Sequence, residues 1–161
     1  MQPVVQETDC SLSIHADGTW YYYDQPLERI TLIRLLYTVL SKEAHGQYFI
    51  ITPVETVPVC VEDAPYSVLS IEWDKQGQGI QCWLNDGTVC PINAAHPIRF
   101  AGHGAVYIHV RYDRHHNSLE ARLTFRAYMQ FAELLEVVNE TTFLVRSYGS
   151  IYTIQVPRHQ A

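Results

Sequence analysis

The stretch LEARLTFRAYMQFAELLEVV, residues 119–138, decides the predicted fold. Apolar residues recur at every fourth position from Leu119 to Phe131, and a second apolar row runs beside them, which is the pattern of a helix covered on more than one side. Asn117 is suited to the N-cap position, and Glu120 is placed to complete a capping box. The pattern predicts that residues 119–138 form the longest helix and a core element.

Turn signals elsewhere in the chain predict hairpins. Asp17-Gly18 and Asn85-Asp86-Gly87 each separate two apolar-rich runs. A second helical pattern follows Pro26 and is predicted to end at Gly46. Residues 1–9 are expected to form a loose arm. The strands predicted from alternation and β-branched content lie at 12–15, 20–23, 47–51, 57–61, 66–73, 80–84, 89–92, 105–112, 142–146 and 150–156.

The two halves of the chain repeat an order of features. An Asp-Gly-Thr hairpin precedes a Leu-Glu pair in each half, and Leu27-Glu28 and Leu119-Glu120 are followed by arginines, Arg34 and Arg126, at the same spacing. The polar, glycine-rich run DKQGQG at 74–79 is the predicted boundary, which divides the chain into units 10–74 and 79–157. The prediction is an α+β fold of two similar small units, each an antiparallel sheet packed on one main helix.

Charge and cysteine content exclude several classes of protein. The formal net charge of -6 disfavours duplex DNA as a partner, which needs a basic surface. The sequence has no run of about 18 apolar residues, which a membrane-spanning helix needs, so membrane insertion is not predicted. The N-terminal sequence lacks the features of a secretory signal, and the four cysteines lack a Cys-x-x-Cys pair, so a reducing cytoplasmic location is expected. Cys60 and Cys82 are expected to pack as small buried hydrophobes.

Catalytic motifs are missing from the sequence. It has neither a Gly-x-Ser-x-Gly elbow nor a phosphate-binding glycine loop, so the chain is predicted not to be an enzyme and to need no cofactor. Several histidines cluster in the second half, but without metal-ligand spacing, so no structural metal is predicted. This cluster contains His96, His103, His109, His115 and His116.

Arginines of the second half are the strongest candidates for a ligand site. Arg111 and His109 stand two apart on a predicted strand and are expected to share a face, with Arg122 or Arg126 across from them on the predicted helix. Guanidinium groups suit phosphate or carboxylate, but internal pairing of Arg122 or Arg126 with Glu133, Glu62 or Asp63 is the favoured alternative. The candidate ligand residues are His109, Arg111, Arg122, Arg126, His96, Arg99, Glu62 and Asp63.

Five segments together resemble a bacterial family, domain-of-unknown-function family 1285. They are DGTWYY at 17–22, TPVETVPVCVEDAPY at 52–66, AAHPIRF at 94–100, YIHVR at 107–111 and SLEARL at 118–123. The resemblance spans about 14–156 and implies a duplicated α+β fold whose C-terminal half is superficially pleckstrin-homology-like. It also implies signalling through a ligand bound between the domains. The chain departs from the family at 112–118, where a longer link with His115-His116 replaces a short glycine-rich one.

Three functions remain open at the level of sequence. The first is a non-enzymatic binding or signalling module with a small anionic ligand, such as a nucleotide, between its halves. The second is a protein interaction adaptor that binds a partner through a sheet edge. The third and weakest is a metal-assisted hydrolase that uses Glu55, Glu62 and Asp63 with the histidines.

Overall fold

The computed structural model describes residues 10–157, so the predicted arm at 1–9 lies outside the described residues. The first sheet contains six strands, with helix α1 between the third and the fourth and one turn of 3₁₀ helix, Ala44–Gly46, after the fourth. The elements are β1 Leu12–Ile14, β2 Trp20–Tyr22, β3 Gln25–Pro26, α1 Ile30–Thr38, β4 Leu40–Lys42, β5 Tyr48–Ile51 and β6 Thr56–Val61.

The second sheet also contains six strands, and a helix and a small three-stranded sheet follow it. The strands are β7 Tyr66–Trp73, β8 Ile80–Leu84, β9 Val89–Pro91, β10 Ile98–Phe100, β11 Val106–Tyr112 and β12 Ser118–Leu123. After them come α2 Phe125–Glu133, β13 Glu136–Val137, β14 Thr142–Ser147 and β15 Ser150–Gln155.

The two six-strand sheets have the same strand order. The first runs β3-β2-β1-β6-β5-β4 and the second, read from its other edge, runs β9-β8-β7-β12-β11-β10. In each sheet the first and last strands pair in parallel at the centre, and every other neighbouring pair is antiparallel. The predicted α+β fold of two similar units is therefore confirmed.

The repeat predicted from Leu-Glu pairs is wrong in detail. Leu27-Glu28 precedes α1, whereas Leu119-Glu120 lies inside β12, so the two pairs occupy unrelated positions. Residues 74–79 form the turn that joins β7 to β8 within the second sheet, and sheet membership changes earlier, between β6 and β7. The division into units 10–74 and 79–157, with a C-terminal half like a pleckstrin-homology domain, stays a prediction.

The predicted helix at 119–138 is a strand followed by a short helix. Leu119, Ala121 and Leu123 are buried while the residues between them are partly exposed, which is the two-residue alternation of a strand. An apolar residue at every fourth position fits both periodicities, because four is a multiple of two. The predicted N-cap at Asn117 is therefore wrong, and Thr124 caps α2 by accepting a hydrogen bond from the Ala127 amide at 3.3 Å.

The predicted helix from Pro26 to Gly46 is shorter than expected. Pro26 lies in β3, and α1 covers only nine residues. After it, Leu40 and Ser41 are buried opposite Ile50 and Phe49 in β5, because pairing β4 with β5 buries apolar surface that a longer helix would leave exposed.

Helix α1 lies where the two sheets meet. Its buried Tyr37 stacks on Tyr66 of β7, with ring centroids 4.0 Å apart, and meets Trp20 of β2 edge-on at 5.1 Å. Aromatic contacts of this kind add to the free energy gained by burying the rings. Residues of both sheets therefore belong to one continuous core.

The cysteines divide into a disulfide and two thiols. Cys10 and Cys60 form a disulfide with Cα atoms 5.7 Å apart, and Cys60 is exposed, so the expected burial of a free Cys60 is wrong. Cys82 is buried as expected, and burial raises the pKa of its thiol. Within residues 10–157, neither helix is long and apolar enough to cross a membrane.

Candidate functional site

Asp63 connects the link after β6 to the second sheet. Tyr107 and Arg122 stand opposite each other on β11 and β12, so their side chains leave the sheet together. The Tyr107 hydroxyl donates to Asp63 Oδ1 at 2.8 Å, and the Arg122 guanidinium forms an ion pair with Oδ2. The structure therefore contains the internal ion pair between Arg122 and Asp63 that was predicted as the alternative to a ligand.

Arg99 and Glu120 extend this row of charges. Two hydrogen bonds, each 2.9 Å long, join the Arg99 guanidinium to the two Glu120 carboxylate oxygens. The guanidinium carbon of Arg99 also lies 4.3 Å from the centre of the Tyr107 ring. The hydrogen bond to Glu120, and after it the charge of that carboxylate, raise the pKa of Arg99. This arginine is half exposed, so its pair contributes little to stability but holds a fixed position for charge.

His109 and Arg111 do not share a face of β11. A β-bulge between them shifts the register, so that His109 lies opposite Glu120 and Arg111 lies opposite Leu119, and consecutive residues of β12 face opposite ways. The prediction that both side chains point at one object is therefore wrong. One extra residue in the strand turns the side chains that follow it to the opposite face of the sheet.

His109 lies in a small polar group of its own. Its Nδ1 is 2.6 Å from the Ser118 hydroxyl, and its carbonyl oxygen is 2.9 Å from Nδ1 of His96. Burial, and after it the neighbouring His96, lower the pKa of His109, so the ring favours its neutral form. His96 and His109 are thus brought together, and neither has a hydrogen bond to an arginine among the described residues.

Arg111 joins the second sheet to helix α1. Its Nε donates to the Tyr66 hydroxyl at 2.9 Å, and its Nη2 donates to the carbonyl of Tyr37, in the last turn of α1. Within residues 10–157 no carboxylate pairs with it. A cation at a helix C-terminus is favoured because the unpaired carbonyls there carry partial negative charge. Arg111, on a strand of the second sheet, therefore caps the C-terminus of α1.

Arg126 and Glu62 are not part of either group. Arg126 is exposed at the start of α2 and has neither a hydrogen bond nor an ion pair among the described residues. Arg122 is on β12 rather than in the first helical turn, so the predicted pair at one helix face does not form. Glu62 is exposed and accepts a hydrogen bond from the Ala16 amide at 3.3 Å.

Sequence reasoning missed a buried hydrogen-bond network around Tyr37. The Tyr37 hydroxyl donates to the Pro65 carbonyl at 2.6 Å and accepts from Asn85 Nδ2 at 2.7 Å. Asn85 also donates to the Gly18 carbonyl at 2.8 Å, which docks the turn between β1 and β2 on the turn between β8 and β9. Burial raises the pKa of Tyr37, so the hydroxyl stays protonated. Of these residues, only Gly18 and Asn85 belong to turn signals visible in the sequence.

Sequence reasoning also missed Asp113, whose main partners are backbone N–H groups. Its buried carboxylate accepts backbone hydrogen bonds from Lys42 at 2.8 Å, Asn117 at 2.9 Å and His115 at 2.8 Å. Burial alone would raise the pKa of Asp113, but these hydrogen bonds lower it to about 2. The link at 112–118 is therefore folded around one carboxylate that also holds β4.

A pocket of about 450 Å³ borders this interface. It is lined by residues of the first sheet and its connections: Cys10, Lys42, Gly46, Gln47, Tyr48, Val59, Cys60, Val61 and Asp63. Lys42 Nζ lies 5.7 Å from the Tyr48 ring centre, and no carboxylate among the described residues forms an ion pair with it. Burial, and then nearby carboxylates, raise the pKa of Tyr48 to about 12. The pocket thus offers one cation, Lys42, without an ion pair among the described residues, and Asp63 is a second charged residue of its lining.

The metal-site hypothesis finds no geometric support in residues 10–157. No three histidine, cysteine, aspartate or glutamate side chains there lie close enough to hold a metal ion. His115 instead contacts Glu43, with Nε2 3.2 Å from Oε1, and Asp63 is occupied by Arg122 and Tyr107.

These features define an α+β protein of two six-strand sheets with one strand order, joined by α1, Asp63 and Asp113. The family model described as "Domain of unknown function (DUF1285), N-terminal domain" matches residues 2–64, and the match ends between the two sheets. Together with the structural matches below, it shows that the chain is similar to proteins of the DUF1285 family.

Two crystal structures are similar to the chain. A DUF1285 family protein from Silicibacter pomeroyi DSS-3 is 29% identical, with a TM-score of 0.74 over 92% of this chain and 81% of that one. A DUF1285 family protein from Shewanella baltica OS155 shares the fold at 24% identity, with a TM-score of 0.58 over 77% of this chain and 91% of that one. Among curated proteins, no sequence matches the chain significantly.

Proposed function

We propose that the protein is a non-enzymatic ligand-binding module that takes a small anion, such as a nucleotide, in the pocket lined by Lys42, Tyr48 and Asp63. The observation that carries the proposal is the unpaired ammonium group of Lys42 in a pocket of about 450 Å³, which falls within the volume range of small-molecule sites. Tyr48 offers an aromatic face beside it for a base or another ring.

The position of Lys42 suits a signalling role. Its backbone N–H is held by Asp113, and its carbonyl accepts from Asn117 Nδ2 at 2.6 Å, so both backbone groups are tied to the link between β11 and β12. Asp63, on the other side of the pocket, is tied to Tyr107 and Arg122. An anion that moves Lys42 or competes for Arg122 therefore acts on contacts between the sheets, which is how ligand binding becomes a change of shape.

The test compares two lysine variants, since the chain has only Lys42 and Lys75. The melting temperature is measured with ATP, GDP, cyclic AMP and inorganic phosphate, and with adenosine as an uncharged control. We expect at least one anion to raise the melting temperature of the natural chain and of Lys75→Met, and to have no effect on Lys42→Met. Lys75 lies in the turn between β7 and β8, outside the pocket. An equal response of both variants, or none in the natural chain, rejects the proposal.

A second candidate is an adaptor that binds a protein strand at a sheet edge. It is favoured by β15, a six-residue strand that pairs only with β14. Hydrogen-bonded and non-hydrogen-bonded residue pairs alternate along an antiparallel hairpin, starting with the hydrogen-bonded pair Ser147–Ser150 next to the turn. Thr153 is in a non-hydrogen-bonded pair with Leu144, so its N–H points away from β14. Thr153→Pro should leave the β14–β15 ladder intact and abolish binding of an added strand. Adaptor binding that survives this change would exclude β15 as the edge.

A further inference from the structure

The second unit contains an apolar cavity that shares no lining residue with the Lys42 pocket. Its volume is about 470 Å³, and it lies between the turn after β10, helix α2 and the ends of β14 and β15. Aromatic and aliphatic side chains dominate the lining, which includes Phe100, Val106, Tyr128, Phe131, Leu135, Phe143, Ile154 and Val156. No charged residue is among the described residues that line it.

An apolar cavity of this size favours an apolar guest. Its lining atoms lack partners on one side and lose dispersion contacts, and water gains little there because few hydrogen-bonding groups are present. Volumes of several hundred cubic ångströms are typical of sites that enclose a small molecule. A flexible hydrocarbon chain can fill a space bounded by four rings and several aliphatic side chains.

A smaller polar pocket adjoins the cavity. It has a volume of about 300 Å³, and it shares Gly104 and Tyr128 with the cavity while adding Arg122 and His103. Arg122 gives one nitrogen, Nη1, to Asp63, and its other guanidinium nitrogens have no partner within residues 10–157. The free edge of the guanidinium can therefore bind a carboxylate at the end of the apolar chain.

We infer that this cavity and its polar neighbour form a site for a single-chain amphipathic acid of the fatty-acid class. The hydrocarbon chain fills the cavity against α2, and the carboxylate reaches the free side of Arg122. The inference does not rest on the anion site at Lys42, because the two sites have no lining residue in common, although Asp63 of the Lys42 pocket pairs with Arg122.

Two positions allow the cavity to be filled without distorting the fold. A Cβ added at Gly102 would meet nothing within 4 Å, and Gly102 does not have the positive φ of Gly104. Ala132, on α2, also lines the cavity and is exposed. Gly102→Leu and Ala132→Leu are therefore the blocking variants, and Ala95→Leu, at an exposed loop position outside the cavity, is the matched control.

The probe is dodecanoate below its micelle-forming concentration, with dodecan-1-ol as the uncharged comparison, in titration calorimetry. We expect dodecanoate to bind the natural chain and Ala95→Leu with one-to-one stoichiometry, and both blocking variants to bind it at least about tenfold more weakly. Arg122→Gln should weaken dodecanoate by a similar factor and leave dodecan-1-ol unchanged, which also shows that the cavity is still folded. Absence of binding to the natural chain overturns the inference, and so does equal binding by the blocking variants or an equal loss of acid and alcohol in Arg122→Gln.

Discussion

The rings of Tyr37 and Tyr66 stack 4.0 Å apart with their planes within 10° of parallel, and this contact joins helix α1 to the first strand of the second sheet. Both tyrosines also hydrogen-bond through their hydroxyls, Tyr37 to Pro65 and Asn85 and Tyr66 to Arg111. The pair combines apolar contact with a polar network, so changes to the hydroxyls test the network without removing the rings.

Tyr37→Phe should lower the free energy of unfolding by about 1–3 kcal/mol, because the Pro65 carbonyl and the Asn85 amide lose a buried partner while the ring contact remains. Urea denaturation measures the change. Tyr22→Phe removes the hydroxyl of an exposed tyrosine and should leave stability within about 0.5 kcal/mol. Equal stability of both variants would mean that the Tyr37 hydroxyl contributes nothing.

Arg111→Ala should destabilise the protein by about 1–3 kcal/mol even though no carboxylate pairs with it. The substitution leaves the Tyr66 hydroxyl and the Tyr37 carbonyl without their donor, and it removes a cation from the C-terminus of α1. Arg114→Ala, at an exposed arginine in the next link, is the control. Stability unchanged in Arg111→Ala would show that the bonds to α1 are dispensable.

Asp113 should make stability depend on pH in the acidic range. Its folded pKa of about 2 lies below its ordinary value of 3.8, so the folded state binds this proton less readily than the unfolded state. The stabilisation is therefore fully present above about pH 5, reaches about 2 kcal/mol, and is lost as the pH falls toward 2. The difference in unfolding free energy between the natural chain and Asp113→Asn, measured from pH 6 to 2, should shrink over that window. A constant difference would rule out Asp113 as the titrating group.

Gly79→Ala should be strongly destabilising because of one neighbour. A Cβ at this position would clash with the ring of Tyr148, which donates a hydrogen bond to Asp74 at 2.8 Å. In a Tyr148→Ala background the same substitution should cost much less, because the ring is gone, and a double-mutant cycle measures this coupling. Additive effects of the two changes would place the clash elsewhere.

The strands were predictable because their evidence is local. Strands Tyr66–Trp73 and Ile80–Leu84 have the predicted bounds. The Asp17-Gly18 and Asp86-Gly87 turns are also at the predicted positions, and the glycine of each has the positive φ that the turn requires. The segment 119–123 failed because its apolar spacing fits a helix and a strand equally, and pairing with β11 and β7 decides between them.

The site was predictable only where charge marked it. Pairing of Arg122 with Asp63 was one of two open alternatives, and two acidic residues at the end of a strand were a visible signal. The partners of Arg111 are a tyrosine hydroxyl and a main-chain carbonyl, which any sequence supplies in abundance. The bulge that separates His109 from Arg111 depends on the pairing of two strands and leaves no mark in either one.

The parallel pairing at the centre of each sheet sets the order in which the chain can fold. Leu12 pairs with Val59 and Tyr66 pairs with Ala121, so each sheet closes only when its last strand has been synthesised. Contacts between such distant residues make folding slow. During synthesis the first sheet can close while the second still exposes the unpaired edge of β7, a state that invites association with other chains. We therefore expect a ribosome-bound chain that ends before β12 to aggregate more readily than one that includes β12.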